Sequence, residues 1–451
     1  MMQLVGKRVV VVGMGASGVA AAKLCLGMGA RVIGTDQRET HELGEAARML
    51  PIEMRAGGHD AEVLRQADLV VLSPGIPPRP EIEAAERAGV EVIGELELGA
   101  RLVNAPICAI GGTNGKSTTT QLLGNMFKTA GLKAFTGGNL GTPLCEAVGS
   151  SWDVLVVEVS SFQLERAPSF RPRVSVLLNI TEDHLDRYAT FAEYARAKGN
   201  AFANQTAEDV AIALVGDAEV DRQARRGKGR QLRFGASGDY RVDGSAIVEG
   251  ASGQRFELAG SVLDSAFNHL NSAAAIAAAR ALGQAPETIQ RALKEYSPLG
   301  HRLTFVGRIG DVTFYDDSKA TNVGAAVAAV EGMREPRVVL VAGGKDKGGS
   351  YEPLAQALRD KGRAVVLIGE AAERMHQVLG PALPVERAQS MPAAVERAYH
   401  LAQPGDAVLL SPACSSFDMF KNYAERGDHF VDAVKRLRGS LGEGRQDGPS
   451  A

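Results

Sequence analysis

Short apolar runs alternate with helical stretches along almost the whole chain. The stretches are rich in alanine and leucine, and the runs between them are RVVVVG, ADLVVLSPG, PICAIGG, DVLVVEV, VSVLLNI, RVVLVAGG, RAVVLIG and DAVLLSP. A strand with one solvated face would alternate apolar and polar residues, so these runs predict strands that are buried on both faces. Parallel sheets covered by helices have this pattern, and the predicted fold class is therefore α/β.

The length of 451 residues predicts about three domains. A boundary is indicated at Asn104 to Pro106, because a new strand and a glycine-rich loop begin directly after it, and a second near Ser297 to Gly300. The polar, glycine-rich segment 205–262 predicts a small β region at the edge of the central domain. The end of the chain, RGSLGEGRQDGPSA, has no apolar periodicity, which predicts a disordered tail. The predicted divisions are 1–104, 105–298, 299–438 and the tail 439–451.

Composition and charge exclude several classes of protein. Lysine and arginine number 50 against 53 acidic residues, a formal net charge of -3, whereas a nucleic-acid-binding protein normally carries a basic patch. The four cysteines have no C-x-x-C spacing, so neither a zinc site nor a disulfide framework is indicated. The sequence has no signal-peptide pattern and no apolar run near the roughly 18 residues that span a bilayer. We expect a cytoplasmic protein that inserts into no membrane and binds no nucleic acid.

The first strand is followed by glycines in a phosphate-binding spacing. VVVVGMGASG places glycines at 13, 15 and 18, the G-x-G-x-x-G pattern of a dinucleotide-binding turn, and Asp36 follows near the end of the next strand. Backbone N–H groups of such a turn bind any diphosphate. The turn alone therefore leaves an NAD-dependent oxidoreductase open beside enzymes that bind another diphosphate.

A second glycine loop carries the strongest local signal. GGTNGKSTTT follows the predicted strand PICAI and opens a predicted helix, so its N–H groups would hold phosphates, with Lys116 reaching the β- and γ-phosphates. Ser117 or Thr118 would offer a hydroxyl group to Mg²⁺. The chain departs from the strict G-x-x-x-x-G-K-[ST] pattern, because Ile110 stands where that pattern has glycine.

Charged side chains follow two further strands of the central domain. Glu158 ends DVLVVEV, where a carboxylate would face the ligand crevice of an α/β sheet and could bind Mg²⁺. LLNITEDHLDRY places Asp183, His184 and Asp186 after another strand, and Lys198 lies in the helix that follows. A lone glutamate at a strand end is more often solvated, but the phosphate loop upstream favours a functional role for Glu158. Taken alone, His184 and Lys198 predict no catalysis, because a histidine among carboxylates is usually hydrogen-bonded structure and a helical lysine is usually solvated.

The last third of the chain also places polar groups at strand ends. Acid, base and hydroxyl groups in such positions suit a polar, charged ligand, although surface charge alone could account for each. The residues are Arg302, Asp317, Lys319 and Thr321 around one strand pair, Lys345 and Lys347 in VAGGKDKGGSY, and Ser415 and Ser416 in LLSPACSSFDMFKN.

Together these motifs resemble the Mur ligase family, in the family's three-domain order and over nearly the whole chain. The resemblance rests on GTNGKST, Glu158, NITEDHLDRY followed by a lysine, HRL, YDDSKATN, GGKDKGG and LLSPACSSFDMFKNYAERGDHF. LSPGIP, DSKATN and SPACSSFDMFKN favour the branch that adds D-glutamate, and the DNPR motif of the diaminopimelate-adding branch is not found. The L-alanine-adding branch also begins with a dinucleotide-like turn, so that turn does not separate the two.

The resemblance implies a specific architecture and reaction. It implies a Rossmann-like N-terminal domain that binds a UDP-sugar instead of NAD, a central P-loop ATPase-like domain with a mostly parallel sheet, and a C-terminal Rossmann-like domain that binds an amino acid. The implied enzyme is a monomer that uses ATP and two Mg²⁺ ions. It adds D-glutamate to UDP-N-acetylmuramoyl-L-alanine through an acyl phosphate, in peptidoglycan precursor synthesis.

The resemblance also implies roles for individual residues. Contacts with the UDP substrate are implied for Ala16, Ser17, Asp36, Gln37, Ser73 and Asn139. Contacts with ATP are implied for Gly112, Thr113, Asn114, Gly115, Lys116, Ser117, Thr118, Asn268, Asn271, Arg302 and Asp317. Contacts with D-glutamate are implied for Lys319, Thr321, Lys347, Ser416, Phe417 and Tyr423. One Mg²⁺ is implied at Ser117 and Glu158 and the other at His184 and Lys198, with Lys198 carbamylated by CO₂. The implied catalytic residues are Lys116, Glu158, His184 and Lys198.

One position departs from the family pattern, and alternatives stay open. The family commonly reads H-N-x-x-N where this chain has Phe267 before Asn268, although both asparagines are present. An L-alanine-adding Mur ligase is one alternative. A folylpolyglutamate synthetase-like enzyme shares the ATP loop but has no UDP-binding domain ahead of it. An NAD-dependent oxidoreductase would leave the GKST loop and the last third of the chain without a use.

Overall fold

The computed structural model describes residues 2–139, 141–185, 187–297 and 300–442. Backbone contacts separate these residues into two compact units. The first unit holds the described residues of Met1–Ile180, Thr190–Asp264 and Asn268–Tyr296, and the second those of Thr181–Ala189, Ser265–Phe267 and Ser297–Ala451. In the described part of the chain, no helix is both long and apolar enough to cross a membrane.

The first unit begins with a five-stranded parallel sheet. Its strands are β1 (Arg8–Val12), β2 (Arg31–Thr35), β3 (Glu53–Arg55), β4 (Leu69–Leu72) and β5 (Glu91–Gly94), in the order β3-β2-β1-β4-β5. The helices are α1 (Ala16–Gly27), α2 (Glu45–Arg48), α3 (Ala61–Arg65), α4 (Pro80–Arg87) and α5 (Glu95–Leu102), with a 3-10 turn at Thr40–Glu42.

The valine run of β1 explains why both faces of this sheet are covered. Side chains alternate across a strand, so Val9 and Val11 pack on one face with the alanines of α1, and Val10 and Val12 pack on the other with α3 and α4. All four valines are fully buried. The apolar run therefore serves two cores at once, as its lack of polar alternation predicts.

A nine-stranded sheet forms the rest of the first unit. Its strands are β6 (Ile107–Gly111), β7 (Ala134–Gly138), β8 (Val154–Glu158), β9 (Val174–Leu177), β10 (Val210–Leu214), β11 (Arg230–Gly235), β12 (Tyr240–Asp243), β13 (Ala246–Glu249) and β14 (Arg255–Glu257). The order is β14-β13-β12-β11-β10-β9-β6-β8-β7. The helices are α6 (Lys116–Thr129), α7 (Ser161–Glu165), α8 (Phe191–Ala203), α9 (Ala218–Ala224), α10 (Ala266–Ala281) and α11 (Pro286–Lys294), with a 3-10 turn at Leu144–Ala147.

The second unit is built on a six-stranded sheet. Its strands are β15 (Thr304–Ile309), β16 (Val312–Asp316), β17 (Val338–Gly343), β18 (Gly362–Ile368), β19 (Val385–Arg387) and β20 (Ala407–Leu410), in the order β15-β16-β20-β17-β18-β19. All neighbours are parallel except β15 and β16. The helices are α12 (Val323–Gly332), α13 (Glu352–Lys361), α14 (Ala372–Leu379), α15 (Met391–Leu401) and α16 (Tyr423–Ser440).

The sequence predicted the fold class and the strands correctly. All eight apolar runs form strands, and most strand pairs are parallel. The polar segment 205–262 contains β10 to β14 and forms one end of the nine-stranded sheet, where the last two pairings are antiparallel. Helix α16 includes Gly439 and Ser440, the first residues of the predicted tail, and residues 443–451 lie outside the described residues. The exact domain boundaries stay predictions.

Candidate functional site

The glycine turn after β1 lies where the order of the first sheet reverses. After β1 the chain leads to β2 on one side of the sheet, whereas after β4 it leads to β5 on the opposite side. The loops after β1 and β4 therefore border the crevice in which open α/β sheets bind ligands. Ser73, after β4, donates a 2.6 Å hydrogen bond to the carbonyl oxygen of Gly13. A Cβ atom at Gly18 would lie 1.9 Å from that same oxygen, so only glycine fits there. A Cβ atom at Gly15 would meet open space.

Asp36 follows β2 and holds this turn in place. Its carboxylate accepts hydrogen bonds from the backbone N–H of Met14 (2.7 Å) and from the guanidinium of Arg38 (2.8 and 2.9 Å). Burial disfavours the charged form, but the bonds from Arg38 and Met14 outweigh burial and lower the pKa of Asp36 to about 2. The neighbouring Gln37 accepts a hydrogen bond from Arg79. The ionised Asp36 side chain therefore connects the glycine turn, through Met14, to the loop after β2, through Arg38.

The phosphate loop lies at the carboxyl edge of the nine-stranded sheet, between β6 and α6. Gly112 and Gly115 have φ angles of 142° and 84°, which favour glycine. A Cβ atom at Gly115 would lie 2.2 Å from the side-chain oxygen of Asn271, so the loop packs closely on α10. Ile110, the departure from the strict pattern, is a fully buried residue of β6. An apolar side chain suits that strand position.

Asn179 holds this loop in place by hydrogen bonds, and the sequence analysis did not single out this asparagine. Its side chain accepts a 2.8 Å hydrogen bond from the N–H of Asn114 and donates one of 3.1 Å to the Asn114 carbonyl oxygen. Its own carbonyl oxygen accepts from the N–H of Thr113 at 2.9 Å. β9 is a direct neighbour of β6 in the sheet, which brings the two loops together. An asparagine directly after a buried strand was the available signal.

Glu158 ends β8, which pairs with β6 on the side opposite β9. It is paired with Ile110 in the parallel ladder and is buried. Its Oε1 accepts a 2.6 Å hydrogen bond from Asn139. Its Oε2 is buried and has no hydrogen-bond partner among the described residues. A buried carboxylate oxygen of this kind suits a cation, because burial without a partner is costly.

Lys198 reaches the same loop from α8. The helix begins at Phe191 because the hydroxyl of Thr190 accepts a hydrogen bond from the N–H of Glu193. Lys198 is buried, and its Nζ donates a 2.8 Å hydrogen bond to the carbonyl oxygen of Gly112. The same Nζ lies 4.5 Å from the centre of the Tyr194 ring.

Several predicted ATP residues thus meet in the first unit. Ser117 and Thr118 are buried in the first turn of α6, and Lys116 folds back to donate a 2.7 Å hydrogen bond to the carbonyl oxygen of Thr113. Asn271 is also buried and donates a 3.3 Å hydrogen bond to Asn268. The arrangement presents a glycine loop, a lysine, a hydroxyl group and a carboxylate at one edge of the sheet. Such an edge is suited to binding a nucleoside triphosphate.

Asp183 and His184 belong to the second unit. Asp183 accepts hydrogen bonds from Lys347 (3.2 Å) and Asn322 (3.3 Å), so it bonds to residues that follow β17 and β16. It also accepts a 2.9 Å bond from the backbone N–H of His184. His184 has a φ angle of 55°, an uncommon value outside glycine. Asp186, singled out in the sequence, lies outside the described residues.

Asp317 follows β16 in a polar corner of the second unit. Burial raises the pKa of the Asp317 carboxyl group to about 7, although hydrogen bonds from Ser411 (2.9 Å) and Leu303 (3.3 Å) and the charge of Arg302 oppose that rise. A carboxyl group with this pKa can change its protonation state near neutral pH.

The predicted amino-acid residues lie on neighbouring loops of the second unit. β16, β20 and β17 are adjacent and parallel, so the loops after them share one edge of the sheet. Lys319 lies 3.9 Å from the centre of the Tyr423 ring. Ser416 is buried and Phe417 is 70% exposed. Arg426, which the sequence analysis did not single out, is buried beside these loops.

Comparisons with known proteins cover almost the entire chain. Residues 7–94 match the family described as Mur ligase MurD-like, N-terminal domain. Residues 110–279 match the Mur ligase middle domain, and residues 301–414 match the Mur ligase, glutamate ligase domain.

Two relatives in sequence carry the same name. The chain is 46% identical to the UDP-N-acetylmuramoylalanine--D-glutamate ligase of Syntrophotalea carbinolica, over 96% of this chain and 99% of the relative. It is 45% identical to the protein of that name from Desulfosudis oleivorans, over 96% and 97%.

Solved structures share the fold at lower identity. The chain matches UDP-N-acetylmuramate-alanine ligase MurC from Thermotoga maritima with a TM-score of 0.61 at 19% identity, over 96% of this chain and all of the other. MurF ligase from the same organism, in complex with ADP, matches with a TM-score of 0.62 at 18% identity, over 98% of this chain and all of the other.

Proposed function

Because this chain belongs to the Mur ligase family, we propose that it joins D-glutamate to UDP-N-acetylmuramoyl-L-alanine in an ATP-dependent reaction. The structural observation that carries the proposal is the meeting of the phosphate loop, Glu158 and Lys198 at one edge of the nine-stranded sheet. The two relatives named above, which share nearly the full length, support D-glutamate as the acceptor.

In the proposed reaction the free carboxylate is first activated. The carboxylate of the UDP substrate attacks the γ-phosphate of ATP, which releases ADP and forms an acyl phosphate. The amine of D-glutamate then attacks the acyl carbon, loses a proton, and displaces phosphate through a tetrahedral intermediate. Phosphorylation supplies the leaving group that a free carboxylate lacks.

The chain's own residues bind and position ATP in this scheme. The loop from Gly112 to Thr118 holds the phosphates, and Lys116 neutralises charge on the transferring phosphoryl group. Its present bond to the Thr113 carbonyl oxygen keeps the ammonium group at the loop. Asn268 and Asn271 bind the adenine, and Arg302 and Asp317 contact the nucleotide from the second unit.

The residues present fit Mg²⁺. The unsatisfied Oε2 of Glu158 and the buried hydroxyl of Ser117 are oxygen ligands of the type Mg²⁺ prefers, and we assign one ion to them. We assign a second ion to His184 and Lys198. Bound Mg²⁺ would stabilise the negative charge of the phosphoryl group in transfer.

A second ion at Lys198 requires a change in that side chain, because an ammonium group repels a cation. We propose that the neutral amine of Lys198 reacts with CO₂ to form a carbamate and releases one proton. The product carries carboxylate-like oxygens that can bind Mg²⁺. The position of Lys198 supports this proposal, because the buried side chain is held beside the phosphate loop by its bond to the Gly112 carbonyl oxygen.

The two substrates are assigned to the two remaining sets of loops. The UDP substrate lies on the glycine turn, with Ala16, Ser17 and Ser73 near the diphosphate, Asp36 and Gln37 near the uracil, and Asn139 near the rest of the molecule. D-Glutamate is held by Lys319, Thr321, Lys347, Ser416, Phe417 and Tyr423. The open space beside Gly15 supports close approach of a diphosphate to the turn.

Acceptor-dependent phosphate release tests the proposed function. The purified protein is incubated with ATP, Mg²⁺ and UDP-N-acetylmuramoyl-L-alanine, with and without D-glutamate. We expect release only when all are present, and little with L-glutamate. Parallel reactions use UDP-N-acetylmuramate with L-alanine, and folate with L-glutamate. Phosphate release only with UDP-N-acetylmuramate and L-alanine would indicate an L-alanine-adding ligase, and release only with folate and L-glutamate would indicate a folylpolyglutamate synthetase-like enzyme. Saturable NAD binding without ligase activity would favour an oxidoreductase.

We further propose that the protein acts in the cytoplasm as a monomer. The substrates of the proposed reaction are soluble nucleotides and an amino acid, which suits that compartment. The product would be a precursor of peptidoglycan, so loss of activity would impair cell-wall growth, cell shape and division. Light scattering on the purified chain tests the oligomeric state, with a mass near 47.4 kDa expected.

A further inference from the structure

Arg426 of α16 is among the largest fully buried side chains of the protein. Arginine is rarely buried, because removing its charge from water is costly unless many polar groups compensate. Burial lowers the pKa of Arg426 to about 10, although nearby acidic side chains oppose that change. The cost of burying the Arg426 guanidinium indicates that it has a function that an apolar side chain could not perform.

The hydrogen bonds of Arg426 join three separate loops. Its guanidinium donates to the hydroxyl (3.0 Å) and the carbonyl oxygen (2.8 Å) of Ser318, after β16. It also donates to the carbonyl oxygens of Cys414 (3.1 Å), after β20, and Gly343 (3.5 Å), at the end of β17. The hydroxyl of Ser318 in turn donates to the carbonyl oxygen of Tyr423, at the start of α16. We refer to residues 316–321, 343–347 and 411–416 as the three acceptor loops.

Each of these bonds is made to a loop, or to the start of the helix, that also contains a residue assigned above to D-glutamate. The residues are Lys319 and Thr321 beside Ser318, Lys347 beyond Gly343, Ser416 beyond Cys414, and Tyr423 on the first turn of α16. Because a planar guanidinium has five donors in fixed directions, it can bond several loops at once, which a lysine ammonium at the same place would not reproduce. Close packing adds to this, since a Cβ atom at Gly344 would lie 3.1 Å from the guanidinium.

We infer that Arg426 is a positioning residue for the amino-acid acceptor: it fixes the three acceptor loops relative to one another and contacts no substrate itself. The inference rests on the proposed function, because the acceptor residues were assigned there. It predicts that loss of Arg426 weakens D-glutamate binding and leaves the UDP-substrate site of the first unit unaffected. Binding of ATP should weaken less than binding of D-glutamate, because Asp317 alone among the residues assigned to the nucleotide lies in these loops.

The test compares Arg426→Lys and Arg426→Met with a matched control, Arg363→Lys. Arg363 belongs to the same unit but bonds to Asp406, just before β20, at the opposite end of the sheet from the acceptor loops. We expect both Arg426 variants to raise the KM for D-glutamate about tenfold or more, since small displacements of binding groups have effects of this size. The KM for the UDP substrate should not change, the KM for ATP should rise less than the KM for D-glutamate, and the control should leave all three unchanged.

Hydrogen–deuterium exchange gives a second readout that does not depend on activity. The Arg426→Lys variant should exchange faster at the three acceptor loops than the wild type, while Arg363→Lys should not. If Arg426→Met does not fold, Arg426→Lys decides alone. Equal changes in all three KM values, or normal exchange in the three loops, would overturn the inference. A wild-type protein without D-glutamate-dependent phosphate release would instead refute the proposed function, and the exchange result would still stand.

Discussion

The Nζ atom of Lys198 donates a 2.8 Å hydrogen bond to the carbonyl oxygen of Gly112, which fixes an amine of α8 against the phosphate loop. This contact means that any change in the chemistry of Lys198 takes place beside the loop that we propose binds the phosphates of ATP. We predict that Lys198→Arg lowers the ligase rate about 100-fold or more, because guanidinium stays protonated and forms no carbamate. Steady-state phosphate release measures the rate.

Carbon-13 NMR separates carbamylation from a steric effect of arginine. Wild-type protein in ¹³C-labelled bicarbonate should show a carbamate signal that is absent from the variant. Lys133→Arg, at an exposed site of the same unit, serves as the control and should keep both the rate and the signal. Near-normal activity of Lys198→Arg, or a missing signal in the wild type, would contradict the carbamate.

Lys116→Ala should abolish turnover and leave UDP-substrate binding intact. Removing the ammonium group takes away a charge that stabilises the transferring phosphoryl group, and we expect a fall in kcat of roughly 100- to 1,000-fold. The glycine turn that we assign to the UDP substrate lies on a different sheet. Isothermal titration with ATP and with the UDP substrate measures the two affinities. A comparable loss of both would argue against separate sites.

Asn179→Ala should raise the KM for ATP about tenfold to thirtyfold, because the side chain supplies two hydrogen bonds to Asn114 in the phosphate loop, each contributing about 1 kcal/mol at most to the ordering of the loop. Asn204→Ala is the matched control, since Asn204 bonds to the carbonyl oxygen of Pro168 in the same unit. The control should change stability but not the KM for ATP. An equal effect of both variants would show that Asn179 is not specific to the loop.

Two glycines of the first turn should respond differently to alanine. Gly18→Ala places a methyl group 1.9 Å from the Gly13 carbonyl oxygen, and backbone must move, so we expect a loss of about 1–3 kcal/mol or more in unfolding free energy. Gly15→Ala meets open space in the protein and should cost less than about 1 kcal/mol. Thermal denaturation of both variants measures the difference, and equal melting temperatures would refute it.

The Asp36 carboxylate should stabilise the fold only above acidic pH. Its pKa is about 2 in the folded protein and about 3.9 in an unfolded chain, so the unfolded state takes up a proton first as the pH falls. The contribution is fully present above about pH 5 and is lost between about pH 4 and pH 2. Asp36→Asn should therefore lower the unfolding free energy by about 1–3 kcal/mol at pH 7.

Urea unfolding at pH 7 and at pH 3 measures this dependence. The difference between wild type and Asp36→Asn should narrow at the lower pH. Asp68→Asn is a control in the same sheet, because Asp68 is exposed and pairs with the exposed Lys7, and its effect at pH 7 should be smaller. A constant difference between the two pH values would contradict the assignment of the lowered pKa to Asp36.

The elements that the sequence predicted well are those whose conformation is determined by residues close together in the chain. The valines of β1 are apolar on both sides of the strand, and the glycines at 112 and 115 have the backbone angles that their residue type allows. Glu158 was predicted to lie at the end of a buried strand, and it is the buried last residue of β8, whereas its role as a ligand stays a prediction. In each case neighbouring residues in the sequence contained the information.

The residues that the sequence analysis missed act through contacts between distant segments. The neighbouring sequence does not distinguish Asn179 from other asparagines, and its contacts with the phosphate loop arise because β9 lies beside β6 in the sheet. Arg426 likewise looks like an ordinary helical arginine in the sequence, and its role depends on hydrogen bonds to three distant loops. Asp36 was identified as a ligand contact, but its bond to the Met14 N–H depends on the exact path of the glycine turn. Strand order and loop path decide these contacts, and neither can be read from residue spacing.

The bonds that Asp183 accepts from Lys347 and Asn322 limit how this protein can be recombined with its relatives. The described residues of 181–189 precede the last third of the chain by more than a hundred positions, yet they belong to the same compact unit. A chimera that exchanges only the chain after Ser297 would take Asp183 from one protein and the residues at positions 322 and 347 from another. A chimera that keeps these contacts must therefore exchange residues 181–189 and 265–267 together with the chain after Ser297, as one module made of three separate stretches of sequence.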